Sequence, residues 1–214
     1  MNVLAVNGSP RKDWNTGTLL TKALEGAESA GAQTKLVHLY DLDFKGCTSC
    51  FCCKRKGNTC AGLCAQRDEL RPVLAEALAS DALVFGSPIY FSDVTGEMRS
   101  FLERLMFPNI TYDEFGKSLV ERPISCGFIF TMNCPEKFMK EVHYDVLFEN
   151  HSHLMGILKG KSEMLASYET YQFNDYSAMN AAMIDGEARA KRRAEQFPVD
   201  CQQAFEMGAR LAGK

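Results

Sequence analysis

The chain has 214 residues, a formal net charge of -3 from 24 Lys and Arg against 27 Asp and Glu, and nine cysteines. This length suggests one domain with a sizeable core, and the charge gives no global attraction to nucleic acid. No apolar stretch has the length of a membrane span, and no secretory leader precedes the first apolar run, so a cytoplasmic protein with neither nucleic-acid nor membrane partners is expected.

Taken in order, Asn2 to Asn7 is a short apolar run that stops at Gly8-Ser9-Pro10 and reads as a buried parallel strand. A loop leads into a helix with Leu19, Leu20, Ala23, Leu24 and Ala27 on one face, ending near Gly31. Lys35 to Leu39 is expected as the second strand of a βαβ unit. Its first turn gathers Ser9, Arg11, Asn15 and Thr16, donors placed where unpaired helix N–H groups and the helix dipole favour a phosphate. A plain helix cap by Asn15 or Thr16 is the alternative, and Arg11 tips the balance toward an anion.

The stretch from Lys45 to Asp68 packs six of the nine cysteines into one charged loop. Cys47, Cys50, Cys53 and Cys60 form the pattern C-x2-C-x2-C-x6-C, with Cys52 and Cys64 left over. Three thiols two residues apart can wrap a small inorganic core while a fourth closes the cage, which is iron–sulfur chemistry. In a reducing compartment such a cluster points to metal or redox work rather than a disulfide framework. Lys54-Arg55-Lys56 reads as a solvated tip, with docking of an acidic carrier as its functional alternative.

Leu70, Val73, Leu74, Ala77 and Leu78 mark a second helix, and Ala82 to Phe85 a third buried strand ending in Gly86-Ser87-Pro88-Ile89-Tyr90-Phe91. Ligands of open α/β sheets bind outside the carboxyl ends of the strands, so this loop and the Ser9 loop should be neighbours. Tyr90 and Phe91 suit a flat ring there, or alternatively local core packing. Gly96 to Met106 is a helix with Met98, Phe101, Leu102 and Leu105 inward; 107–121 is irregular. Ile124 to Thr131 is the fourth strand, followed by a third edge loop, Thr131 to Pro135, and a helix through Phe138, Met139, Val142, Val146 and Leu147. His143, His151 and His153 are read as solvent-facing or capping residues rather than ligands. Met164 to Tyr168 is the fifth strand. Residues 169–185 have no clear pattern, and two helices close the chain, Gly186 to Gln196 and Pro198 to Ala212, the second burying Cys201, Phe205 and Leu211. Cys126 and Cys201 are expected in the core. Alternating strands and helices argue for a doubly wound parallel sheet with helices on both faces, in a single domain over 1–214, with 45–68 as a cysteine-rich insertion and 169–214 as a C-terminal extension.

Asn7-Gly8-Ser9-Pro10-Arg11 with Asn15-Thr16, the loop Gly86 to Phe91, and Thr95-Gly96-Glu97-Met98-Arg99-Ser100-Phe101 resemble the flavodoxin-like NAD(P)H-dependent FMN reductases. The cysteine run after the second strand resembles their iron–sulfur flavoprotein branch, which carries FMN and a [4Fe-4S] cluster. The resemblance covers about residues 1–135. It implies strand order 2-1-3-4-5 in five parallel strands. It implies that Ser9, Arg11, Asn15 and Thr16 hold the FMN phosphate, that Pro88, Ile89, Tyr90 and Phe91 line the isoalloxazine, and that Thr131 and Asn133 close over it. Flavin supplies the chemistry, so no catalytic side chain is expected. NAD(P)H as possible donor, a small-molecule or ferredoxin-like redox partner, and a homodimer or homotetramer are implied as well. Against the relatives, the fourth cluster ligand is either Cys60 or Cys64, and zinc or a metal-free loop remains as the alternative to a cluster. A non-catalytic thiol sensor or zinc module on the same fold is the alternative function.

Overall fold

The computed structural model describes residues 1–57 and 62–213. Among the described residues, β1 (Asn2–Asn7), β2 (Gln33–His38), β3 (Ala82–Pro88), β4 (Ile124–Thr131) and β5 (Lys159–Ser167) form one sheet in the order β2-β1-β3-β4-β5. Every pairing is parallel, as expected for a flavodoxin-like sheet. β1, β3 and β4 read as near-continuous apolar runs because both their faces are covered.

One face is covered by α1 (Asn15–Ser29) and α6 (Phe197–Leu211), whose Leu19, Leu20, Ala23, Ala204 and Met207 pack on Val3, Ala5, Val84 and Ile129. A Cβ on Gly208 would lie 1.7 Å from the Ala23 carbonyl oxygen, so glycine is what lets these two helices approach. The other face buries Leu4, Val6, Phe85, Phe128 and Phe130 under α2 (Leu70–Ala79), α3 (Gly96–Met106) and α4 (Tyr144–Met155). α5 (Gly186–Glu195) precedes α6. No helix among the described residues is long and apolar enough to cross a membrane.

The structure corrects several local expectations. β2 starts two residues before Lys35 and β5 five residues before Met164. The helix expected from Phe138 onward is a short 3-10 turn, Glu136–Phe138, and α4 begins only at Tyr144. Phe138 and Val142 are exposed ahead of α4, and Val146 is exposed because α4 turns Leu147, His151 and Met155, spaced four apart, toward the sheet. His151 is therefore a core residue and not a solvent-facing one. Cys126 is buried as expected, and the burial pushes its thiol up to about 12, whereas Cys201 and Phe205 are only half-buried.

Candidate functional site

The register places Asn7 opposite Gly86 and Pro88 opposite Thr131, so the loops after β1, β3 and β4 leave the sheet side by side. Hydrogen bonds join them. Gly8 N–H donates to the Gly86 carbonyl at 2.8 Å, and Ile89 N–H to the Thr131 carbonyl at 2.9 Å. Thr95, at the start of α3, donates its hydroxyl to the Gly8 carbonyl at 2.6 Å and its N–H to Ser87 Oγ at 3.0 Å. The Thr16 and Thr131 hydroxyls meet at 2.8 Å, both buried. Neighbourhood of the three loops, expected from topology alone, is thus built in by paired polar groups.

Within the first loop the four singled-out residues separate. Ser9 is buried, its N–H donating to Asn7 Oδ1 at 2.8 Å and its Oγ accepting from Arg11 N–H at 3.2 Å. Arg11 is exposed, with its guanidinium on the Gln172 carbonyl and 5.4 Å from the Trp14 ring centroid. Asn15 gives its amide to the Tyr171 carbonyl at 2.7 Å and accepts from Arg193 at 2.9 Å; Thr16 is committed to Thr131. Neither Asn15 nor Thr16 caps the helix. Trp14 occupies the cap position without its side chain capping the helix, and the first turn of α1 holds no acidic residue. Its N–H groups and positive dipole end therefore remain the anion-attracting feature of the loop. The loop folds tightly back onto α1: a Cβ on Gly17 would lie 1.7 Å from the Lys12 carbonyl oxygen.

Residues 169–185, unreadable in the sequence, cross this loop. The Tyr171 carbonyl takes both the Asn15 amide and the Trp14 indole N–H, the latter at 2.8 Å. Asn133 in the third loop is held by Arg189 of α5, which donates to its Oδ1 and to its carbonyl, each at 3.1 Å, and pairs with Glu169. Sequence reasoning missed Arg189. The only available signal was three arginines, Arg189, Arg192 and Arg193, crowded on one helical turn.

In the second loop Pro88 and Ile89 are half-buried, while Tyr90 is 47% and Phe91 106% exposed, which removes the local-core alternative for the two rings. Tyr90 and Asp93 exchange backbone hydrogen bonds of 2.8 and 3.1 Å around a two-residue turn with Phe91 at φ 50 and Ser92 at φ 63. Non-glycine residues resist this left-handed backbone, so the hairpin holds an aromatic ring out to solvent under local strain.

The cysteine loop lies against the far end of α3. Among the described residues, Cys47, Cys50, Cys53 and Cys64 line one small cavity together with Phe51, Glu103, Arg104 and Phe107. Cys60 lies outside the described residues. Cys47 N–H donates to Glu103 Oε2 at 3.2 Å, and Arg104 grips both ends of the loop through Lys45 and Asp68. Burial pushes the Cys53 thiol up, with smaller contributions from Cys64 and Cys47, while the Cys52 backbone N–H holds Cys50 down. No three His, Cys, Asp or Glu side chains among the described residues converge as a site for a single metal ion. Lys54 is not part of a solvated tip. It donates to the Phe107 and Ile110 carbonyls and sits 4.5 Å from the Phe107 ring centroid, leaving Arg55 and Lys56 exposed. Two concavities, of about 690 and 1160 Å³, flank residues 110–119 and touch none of the three strand-end loops.

A family model described as NADPH-dependent FMN reductase matches residues 1–128. The chain belongs to this family. Among curated relatives, an iron–sulfur flavoprotein of Archaeoglobus fulgidus is 36% identical over 104 residues, 49% of this chain and 48% of the relative. One of Methanocaldococcus jannaschii is 30% identical over 104 residues, 49% and 51% of the two chains. The chain thus spans about half the length of the curated relatives it matches. In fold, this FMN reductase-family chain is similar to an NAD(P)H:quinone oxidoreductase from Methanothermobacter marburgensis, with a TM-score of 0.72 at 16% identity over 99% of this chain and 98% of that one.

Proposed function

We propose that the protein is an FMN-containing oxidoreductase that couples NAD(P)H or a reduced carrier to an acceptor through FMN and a [4Fe-4S] cluster. The observation that carries the first half is the uncapped, acid-free N-terminus of α1, set between three mutually bonded strand-end loops. Bound FMN supplies hydride acceptance and one- or two-electron release. The chain supplies placement. Ser9, Arg11 and the first-turn N–H groups hold the phosphate, and Asn15 and Thr16 shape the loop around it. Pro88, Ile89, Tyr90 and Phe91 flank the ring, and Thr131 and Asn133 form its third wall.

For the cluster, the support is that Cys47, Cys50, Cys53 and Cys64 line one cavity, a set of soft thiol ligands that suits an iron–sulfur core. Zinc takes four thiolates as well and is the alternative that iron and sulfide analysis separates. Cys47, Cys50 and Cys53 are the proposed ligands, with the fourth either Cys64, which lines the same cavity, or Cys60, which lies outside the described residues. α3 ties the two sites together: Thr95 holds the flavin-side loops and Arg104, nine residues on, holds the cysteine loop, about 14 Å along a helix rising 1.5 Å per residue. A thiol sensor has no need of the phosphate loop, which disfavours that reading. A cytoplasmic homodimer or homotetramer serving a small-molecule or ferredoxin-like partner completes the proposal.

The test is anaerobic purification followed by absorption spectroscopy and iron and sulfide analysis. Paired flavin bands over a broad visible absorbance that dithionite bleaches, with iron and sulfide in equal amounts, are expected. Flavin without iron sinks the cluster and spares the reductase. Colourless protein that takes up no added FMN sinks both.

A further inference from the structure

Arg104 is the bulkiest fully buried side chain among the described residues, 1% exposed. A guanidinium keeps its charge under all ordinary conditions, so its burial must be compensated. Asp68 does this with a two-pronged pair, 2.5 Å from Nη1 to Oδ2 and 2.9 Å from Nη2 to Oδ1, and Nη1 also donates to the Lys45 carbonyl at 2.9 Å. Nε, equally buried, has no hydrogen-bond partner among the described residues. A buried donor without a partner costs about 1–3 kcal/mol and calls for an explanation. Closing the ends of the cysteine loop does not provide one, since buried ion pairs are often replaceable by apolar side chains at no loss of stability.

The surroundings do. Arg104 lines the cavity of Cys47, Cys50, Cys53 and Cys64, and its guanidinium lies against the Cys64 thiol. We infer that Arg104 is the potential-setting residue of the cysteine cage, fixing a positive charge beside Cys64 with a free Nε–H donor for a sulfur acceptor. The inference rests on the cluster reading above. One electron from a reductant adds one negative charge to the cluster and its four thiolates, and no proton need move. A fixed cation beside Cys64 and hydrogen bonds to sulfur favour that more negative state, which raises the potential. Asp68, on the other side of the guanidinium, orients it and partly cancels its field.

The experiment is a dithionite redox titration of the intact protein, read by electron paramagnetic resonance, after iron and sulfide have been counted. Arg104→Gln is expected to lower the reduced-to-oxidised ratio at fixed poise by about tenfold, a shift of ~59 mV for a one-electron couple. Asp68→Asn is expected to move it about as far in the opposite direction, and Arg104→Lys to stay within about threefold of wild type. A role limited to structure gives no such opposition of sign. Equal potentials in all variants, or shifts of one sign, overturn the inference while leaving the cluster standing. Wild-type protein without iron overturns both. If Arg104→Gln does not fold, Asp68→Asn decides alone, because it keeps the guanidinium: a potential unchanged or lowered there overturns the inference.

Discussion

The hydroxyls of Thr16 and Thr131 lie 2.8 Å apart and buried, joining the first turn of α1 to the last residue of β4 across 115 positions of sequence. Deleting one partner strands the other. Thr131→Val should cost about 1–3 kcal/mol in urea unfolding, the desolvation penalty of an unpaired buried hydroxyl. The double variant with Thr16→Val should be less destabilised than the sum of the singles, since both polar atoms are then gone. Strict additivity would show that the two hydroxyls do not interact.

Phe91 stands at φ 50 with its ring fully exposed, so no burial of the ring offsets its left-handed backbone. Phe91→Gly should stabilise the protein by about 1 kcal/mol, raising Tm by ~2–4 °C in a chain of this size. FMN affinity should fall at the same time, because the proposed ring contact is lost. Ser92→Gly relieves a comparable strain at φ 63 without touching the ring and should raise Tm alone. A Phe91→Gly protein that keeps full FMN affinity would remove Phe91 from the proposed site.

What could be read in advance follows from how local each signal is. α3 has its expected bounds because Met98, Phe101, Leu102 and Leu105 repeat at helical spacing, and the structure adds a cap at Thr95, which accepts from Met98 N–H at 3.3 Å. The parallel sheet followed from alternation of strands and helices, and its strand order 2-1-3-4-5 from the resemblance alone. The start of α4 misled because Phe138 and Val142 ahead of it and Val146 within it are apolar yet exposed, so hydrophobicity there does not report the buried face. The pairs Arg104–Asp68, 36 residues apart, and Arg189–Asn133, 56 apart, leave no periodic trace at all. The same holds for Asn15: its type suggested a phosphate donor, and only the fold shows its amide spent on Tyr171.

Arg189 keeps the third loop in place through Asn133 and Glu169, both of which leave or approach the sheet edge. Arg189→Met should cost about 1–3 kcal/mol, limited because Glu169 is half-exposed and rehydrates. The loss should be local. Hydrogen exchange should quicken at the Thr170 and Glu169 amides, which bond to the Met132 and Cys134 carbonyls at 2.9 and 3.3 Å, while α3 amides keep their protection. Uniform loss of protection would mean that Arg189 supports the whole fold rather than this loop.

His151 ties stability to pH. It is 3% exposed, edge-on to Phe128 and Phe130 at centroid distances of 5.1 and 5.5 Å, and donates from Nδ1 to the Leu147 carbonyl at 2.9 Å. Nε2 has no hydrogen-bond partner among the described residues and lies 3.9 Å from Asp93 Oδ1. Burial holds its pKa below the ordinary 6.5, against a weaker upward pull from the Leu147 carbonyl and Asp93. The unfolded chain therefore takes up a proton near the ordinary value, and the folded protein only at lower pH. Between those two points the unfolded state binds more protons, so stability falls as pH drops, by at most about 1.4 kcal/mol per pH unit from this one group. Below the folded value the loss levels off. His151→Gln removes the titration, and its unfolding free energy between pH 7 and 5 should decline less steeply than that of wild type. Parallel curves for the two proteins would assign the acid sensitivity to other groups.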